Sequence, residues 1–326
     1  MVTPLRRSYL VAMLVAISAL LFIGPATSQA ATTAAAPSIT RVFCFGDSYS
    51  DNGRSFALST QITNGANPPA AGFVLAGPPA YWQGRWSNGS TAVENLAKLL
   101  HVKLTDYAVG GAESSYSNYY SWLDPYVNTG LLGQVATFKG ALKGHRANPR
   151  ALYIVQMAGN DYFYWKDYGL TMPGTVQNVG LQVVANECET VRQLALLGAR
   201  RFLVIGSENV ALLPWEVEYN ETADAAAYSK TVNGHLPGAL RHLRMQLHLR
   251  ILYFPLARVD AAIRANPAKF GLTELNAPFE HTYPTYVAGT GDPDTYFFWD
   301  EWHPTAAVHK ILGEAMWAQV IGSGLH

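Results

Sequence analysis

Val42-Phe43-Cys44-Phe45-Gly46-Asp47-Ser48 is four apolar residues in a row, closed by a glycine and two short polar side chains. A strand apolar at consecutive positions is buried on both faces, which is the pattern of a parallel sheet covered by helices. The pattern recurs at Leu152-Tyr153-Ile154-Val155, Phe202-Leu203-Val204-Ile205 and Ile251-Leu252-Tyr253-Phe254. A fifth, more polar candidate covers 103–109. Between these runs the apolar spacing turns helical. Leu181, Val184, Cys188, Val191 and Leu194 step by three or four, and Gly198 stops them. Further helices are expected over 91–100, 131–142, 223–249 and 259–265, the third bent or broken near Pro237. A last one should open at Pro304, with Val308, Ile311, Leu312, Ala315 and Met316 on one face. The expected fold is a single doubly wound, flavodoxin-like α/β domain with about five parallel strands and helices on both faces.

The 326 residues carry 23 basic and 23 acidic side chains, with 49% hydrophobic and 14% charged. That balance excludes a disordered chain, and it offers no basic excess for nucleic acid. Residues 1–30 read as a signal peptide. Arg6 and Arg7 precede an uncharged apolar run over 9–23, Gly24-Pro25 breaks it, and Ser28-Gln29-Ala30 supplies small residues for cleavage. The run is shorter than a membrane span of about 20 residues. An uncleaved N-terminal anchor is the alternative. An Ala/Thr-rich linker (31–38) leads into the domain (39–326). Cys44 and Cys188 leave room for one disulfide in an exported chain, but their strand and helix settings favour two buried thiols.

Ligands of such a fold sit at the carboxyl ends of the strands, so the residues after each strand matter most. Ser48 follows the first strand, where a strand-to-helix turn can present its hydroxyl and Gly46 lets the backbone turn. Gly110-Gly111 follows the 103–109 strand, and a ligand oxygen could approach the Gly111 N–H. Asn160 follows the third, with an amide donor of the kind a developing oxyanion needs. Asp300-Glu301-Trp302-His303-Pro304 lies near the end, and a serine nucleophile needs an imidazole base oriented by a carboxylate. Singly, each has an ordinary reading: a capping serine, a glycine turn, a turn asparagine, a capping aspartate, a surface histidine. Asp47 and Asp161 read as turn and capping carboxylates, and His235, His242 and His248 as solvent-facing. Together the four elements supply nucleophile, base, orienter and oxyanion donors.

The joint pattern resembles the GDSL esterase/lipase family of the SGNH hydrolase superfamily. Four motifs match in order: Phe45-Gly46-Asp47-Ser48, Tyr107-Ala108-Val109-Gly110-Gly111, Gly159-Asn160-Asp161-Tyr162 and Asp300-Glu301-Trp302-His303-Pro304-Thr305. Gly84-Arg85-Trp86-Ser87-Asn88-Gly89 is similar to a segment common between the first two. The resemblance implies Ser48 as nucleophile, His303 as base and Asp300 as its orienter. It implies an oxyanion hole from the backbone N–H groups of Ser48 and Gly111 and the Asn160 amide. Tyr49 stands where leucine is common, and Ala158 where many members have glycine. The Gly-x-Ser-x-Gly elbow, His-Glu-x-x-His and Gly-x-Gly-x-x-Gly do not occur, and Asp292 and Asp294 do not extend to a calcium loop.

The expectation is an exported serine esterase working through an acyl-enzyme, monomeric, with no cofactor, no metal and no membrane span once the leader is cleaved. Its partner is a small-molecule, carbohydrate or lipid ester. A lipase or phospholipase, an acyltransferase to an alcohol acceptor, and a non-catalytic surface binding protein are the alternatives. Tyr116, Tyr119, Tyr120, Trp122 and Tyr126 follow the Gly111 turn, and Tyr162, Phe163, Tyr164, Trp165 and Tyr168 follow Asn160. They should rim the pocket, or else pack beneath its loops. Tyrosine dominates, with a flat apolar face and a polar tip, which favours short-acyl esters such as acetylated carbohydrate.

Overall fold

The computed structural model describes residues 39–64, 73–157, 159–169 and 175–325. The leader (1–30), the linker (31–38) and Ala158 lie outside them. Along the chain the elements are β1 (Val42–Phe45), α1 (Arg54–Asn64), α2 (Ala92–Leu99), β2 (Leu104–Asp106), α3 (Leu131–Ala141), β3 (Leu152–Gln156), α4 (Asn160–Tyr168), α5 (Val176–Leu197), β4 (Arg201–Ile205), α6 (Pro214–Glu218), α7 (Thr222–Leu247), β5 (Arg250–Phe254), α8 (Leu256–Ala265), β6 (Glu274–Pro278), β7 (Tyr296–Phe298) and α9 (Ala306–Gly322).

Five strands pair in the order β2-β1-β3-β4-β5, all parallel. Val42 stands beside both Leu104 and Leu152, and the register carries on through Arg201 to Arg250. The strands therefore begin level, and their carboxyl ends fall within two residues of one another. Strand order reverses between β1 and β3, and in such sheets that switch point is where ligands bind. β1, β3 and β4 are buried along their whole length, because helices cover both faces. α2 packs on α9, and α5 packs on both α3 and α7. β6 and β7 form a separate two-stranded parallel pair, which the sequence pattern did not reveal.

α7 runs through Pro237 as one helix, so the chain does not break there. Proline there removes one helical hydrogen bond, and Tyr228, Val232, Leu236, Leu240 and Leu243, all buried, hold both halves in one packed face. The last helix begins after Pro304. Thr305 is its N-cap, its Oγ1 accepting from the Val308 N–H. At the start of α2, Thr91 and Glu94 close a reciprocal capping box. Cys44 and Cys188 are unpaired thiols, the first buried and the second half-buried. Among the described residues, no helix is long and apolar enough to cross a membrane.

Candidate active site

β1 ends at Phe45, and the chain turns at once. The Ser50 and Asp51 N–H groups donate to the Asp47 carbonyl, and Asp47 Oδ1 accepts from the Tyr49 N–H at 3.1 Å. Gly46 is needed for space rather than for an unusual turn: a Cβ there would lie 2.7 Å from the Gln156 carbonyl oxygen on β3. Its backbone is held from the α3 side. Gln134 Oε1 accepts from the Gly46 N–H at 2.8 Å, and Gln134 Nε2 donates to the Gly46 carbonyl at 2.7 Å. Ser48 is thus fixed directly beyond the switch point.

His303 comes from the turn after β7. The Trp299 N–H donates to the His303 carbonyl, and Phe298 bridges Pro304, so the turn is closed at its base. His303 Nε2 lies 2.8 Å from Ser48 Oγ, and its Nδ1 lies 2.7 Å from Asp300 Oδ2. Asp300 is fully buried, and its Oδ1 also accepts from the N–H groups of Trp302 and His303 at 2.8 and 2.6 Å. The ordinary reading of Asp300 as a local turn cap and the reading as partner of the imidazole therefore hold together. The Trp86 ring packs against His303, with centroids 5.2 Å apart.

Gly111 and Asn160 reach the same cavity as Ser48 and His303, a cleft of about 1230 Å³. Gly111 has φ +79°, and a Cβ would lie 2.4 Å from Asn118 Oδ1, so only glycine fits. Among the described residues, neither the Ser48 N–H nor the Gly111 N–H is paired with an acceptor. Asn160 Nδ2 donates one hydrogen to the Ala112 carbonyl at 3.0 Å, which fixes the amide and leaves its second hydrogen for another acceptor. Unpaired N–H donors beside a serine hydroxyl are the arrangement an oxyanion would need if that hydroxyl attacked an ester.

Several residues that hold this arrangement escaped the sequence reading. Asp51 accepts from the N–H groups of Gly53, Arg54 and Ser55 at the head of α1, and from the Gly110 N–H at 2.8 Å. Its place just before a helix was the available signal. Asp161 is no mere capping residue: it accepts from the Ser114 N–H and hydroxyl at 2.8 and 2.6 Å, tying the Asn160 segment to the Gly111 loop. Burial pushes its carboxyl up to about 6. Tyr81 donates to Asp300 Oδ2 at 2.6 Å. His309 is buried, its Nδ1 accepting from the Ala92 N–H, and burial followed by the nearby His303 lowers it to about 3, so it stays neutral. Among the described residues no group of three or more His, Cys, Asp or Glu could hold a metal ion.

Of the ten aromatics expected at the mouth, Tyr119, Tyr120, Trp122, Phe163 and Tyr168 line the cleft. Tyr162 does not. It is fully buried, its hydroxyl donating to Glu216 at 2.7 Å. Tyr116, Tyr126, Tyr164 and Trp165 also lie outside the lining. Trp215 and Tyr283, from segments that gave no sequence signal, also line the cleft and pack together with Trp302 of the His303 motif.

The family model for GDSL-like lipases and acylhydrolases matches residues 42–316, most of the chain. The chain belongs to that family. The GDSL assignment makes the protein a carboxylic ester hydrolase and accounts for the order of its four motifs. Among its relatives, a GDSL esterase/lipase of Arabidopsis thaliana is 24% identical, the alignment covering 85% of this chain and 81% of the relative. The phosphatidylcholine-sterol acyltransferase of Aeromonas hydrophila is also 24% identical, over 85% of this chain and 89% of that protein. Among solved structures, the M. smegmatis aryl esterase is similar at 16% identity and a TM-score of 0.42, covering 87% of this chain and 99% of its own.

Proposed function

We propose that this GDSL hydrolase is an exported serine esterase in which Ser48, His303 and Asp300 act as nucleophile, base and orienter. The observation that carries the reading is the unbroken relay from Asp300 through His303 to Ser48 Oγ, opening on the cleft. Ser48 Oγ attacks the ester carbonyl carbon as His303 Nε2 takes its proton. Asp300 holds the imidazole with Nδ1 protonated and offsets the imidazolium charge. The carbonyl oxygen, now an oxyanion, is held by the N–H groups of Ser48 and Gly111 and by Asn160 Nδ2. Collapse expels the alcohol, which leaves with the proton from His303. Water, deprotonated by the same imidazole, then attacks the acyl-enzyme and frees Ser48. A fluorophosphonate probe should label Ser48 once per chain, and Ser48→Ala should remove both labelling and turnover. Full labelling of Ser48→Ala, or retention of its turnover, would exclude this reading.

The favoured substrates are short-acyl esters, acetylated carbohydrate among them. The cleft is larger than a small acyl group fills, and its walls carry tyrosines paired with carboxylates: Tyr119 donates to Asp167 at 2.8 Å, and Tyr286 to Glu280 at 3.2 Å. Flat rings with polar tips suit a sugar-sized alcohol portion. A lipid ester is the second reading, and one feature favours it: Phe73 and Val74 line the cleft yet are 55% and 39% exposed. Acyl transfer to an alcohol would use the same residues. Export rests on residues 1–30 acting as a cleaved leader ahead of a domain over 39–326; an exported protein that stayed with the membrane and still carried residues 1–30 would replace it with an anchor.

A further inference from the structure

Asp300 receives four donors on its two oxygens, and three of them come from its own turn. The fourth is the Tyr81 hydroxyl, 219 residues away in sequence and 2.6 Å from Oδ2, the oxygen nearest to His303 Nδ1. That approach is built in. The Tyr81 N–H donates to the Gly77 carbonyl, the Trp82 N–H to the Ser87 carbonyl, and Trp299 Nε1 to the Ala80 carbonyl at 2.9 Å. The last bond joins the residue before Tyr81 to the residue before Asp300. The Tyr81 ring lies 5.3 Å from Trp86, which itself packs against His303.

We propose that Tyr81 is a positioning residue of the relay, its hydroxyl donating to Asp300 Oδ2 and so setting how strongly that carboxylate holds the proton on His303 Nδ1. The inference rests on the reading of His303 as base. An O–H donor takes up part of the carboxylate charge, and a carboxylate with less charge to offer supports the imidazolium less. Removing the hydroxyl should strengthen His303 as a base, while a more acidic hydroxyl should weaken it.

Other titratable groups face the pair. Tyr49 lies against the imidazole at 5.9 Å, with Asp47, Glu208 and Asp260 near it, and His309 is on the same side. Tyr120, Glu280 and Glu301 surround Asp300, Glu301 lying 3.5 Å from His281. Burial keeps Tyr49 and Tyr120 protonated, and His309 stays neutral. Burial also raises the Glu280 carboxyl, so Glu280→Gln serves as the background that keeps its titration apart.

The test is the pH profile of kcat/KM on a soluble short-chain ester, for the wild type, Tyr81→Phe and Tyr81→3-fluorotyrosine, each also in Glu280→Gln. Tyr81→Phe should move the acid limb up by about half a unit to one unit, and 3-fluorotyrosine should move it down. KM should stay within about twofold, because the hydroxyl is engaged with Asp300. The fluorinated residue preserves the ring and the bond, so it gives the sign of the shift even if Tyr81→Phe folds poorly. Superimposed limbs would overturn the proposal and leave Tyr81 as packing alone. A raised KM with an unmoved limb would overturn it in favour of a substrate contact. A wild-type profile with no acid limb, with chemistry limiting the rate, would instead fail the histidine base, a result visible before any Tyr81 variant is made.

Discussion

Gln134, on α3, bonds to both the N–H and the carbonyl of Gly46, at 2.8 and 2.7 Å, as a neighbouring strand would. Its second amide hydrogen goes to the Thr129 carbonyl at 2.8 Å, and the side chain is buried. The glutamine thus fixes the backbone two residues before Ser48. Gln134→Leu keeps the volume and leaves the Gly46 N–H and the Thr129 carbonyl without partners, while the Gly46 carbonyl keeps only the Val109 N–H at 3.1 Å. Each such group costs about 1–3 kcal/mol, so stability should fall by roughly 2–4 kcal/mol after local relaxation. Urea unfolding measures it, and a loss under about 0.5 kcal/mol, typical of a surface change, would contradict this account.

Asn160→Ala removes the amide that the Ala112 carbonyl holds in place. Loss of one oxyanion donor costs about 10²–10³ in kcat, with KM little changed, since the donor matters most once charge has developed. Steady-state kinetics on one ester decides it. A rise in KM alone would assign Asn160 to ground-state binding.

How far these relationships could be read in the chain depends on where their physics lies. β1, β3, β4 and β5 were legible because burial in a covered parallel sheet leaves a continuous apolar run. β2 shrinks to Leu104–Asp106, since as an edge strand it is only half-buried and its pattern is correspondingly mixed. β6 and β7 are short and irregularly paired, and the alternation of Glu274-Leu275-Asn276-Ala277 covers too few residues to mark a strand. α4 is crowded with aromatics and lacks a clear apolar stripe, so Asn160 was legible as a strand-end residue but not as a helix start. Ser48, Gly111, Asn160 and His303 stood out because each follows a strand or a proline-marked turn. Gln134 and Tyr81 did not, because their partners lie 88 and 219 residues away.

Ser48 and His303 share one hydrogen bond at 2.8 Å and should behave as one unit. Ser48→Ala and His303→Ala should each remove nearly all activity, and the double variant should lose little more. Losses that multiplied in the double variant would mean the two act independently.

Stability should fall as pH rises through the neutral range. Glu113 is buried, its Oε1 has no hydrogen-bond partner, and burial together with Asp161 and Asp124 raises its carboxyl to about 8. Burial raises Asp260 to about 7. Both hold protons in the folded chain at pH values where the unfolded chain has lost them. Their contribution is complete below the ordinary carboxylate range and is lost as pH climbs through about 7 to 8. Urea unfolding at pH 5 and pH 9 should differ, and Glu113→Gln, neutral throughout, should narrow the gap. An unchanged gap would mean that Glu113 is ionised in the folded chain at both pH values.

The proposed acyl preference is tested against what lines the cleft. Five of the aromatics that follow the Gly111 and Asn160 segments line it, and Trp215 and Trp302, stacked at 5.1 Å, line it too. A sugar-sized alcohol can lie against such rings while its hydroxyls meet the tyrosine tips and Asp167. A long alkyl chain would cut the tyrosine tips and Asp167 off from water, at about 1–3 kcal/mol for each group that has no protein partner to fall back on. kcat/KM should therefore be highest for acetyl and other short-acyl esters and should fall as the acyl chain lengthens. Trp215→Ala should raise KM for an acetylated sugar more than for a small acetate ester, because a small ester has no sugar ring to lay against the Trp215–Trp302 stack. The measurement is one ester series from acetate to a long-chain acyl group on one preparation, with acetylated sugars and a phospholipid beside it. Activity that climbed steadily with chain length and jumped at a lipid–water interface would make Phe73 and Val74 the start of a lipid-binding edge and replace the short-acyl reading with a lipase.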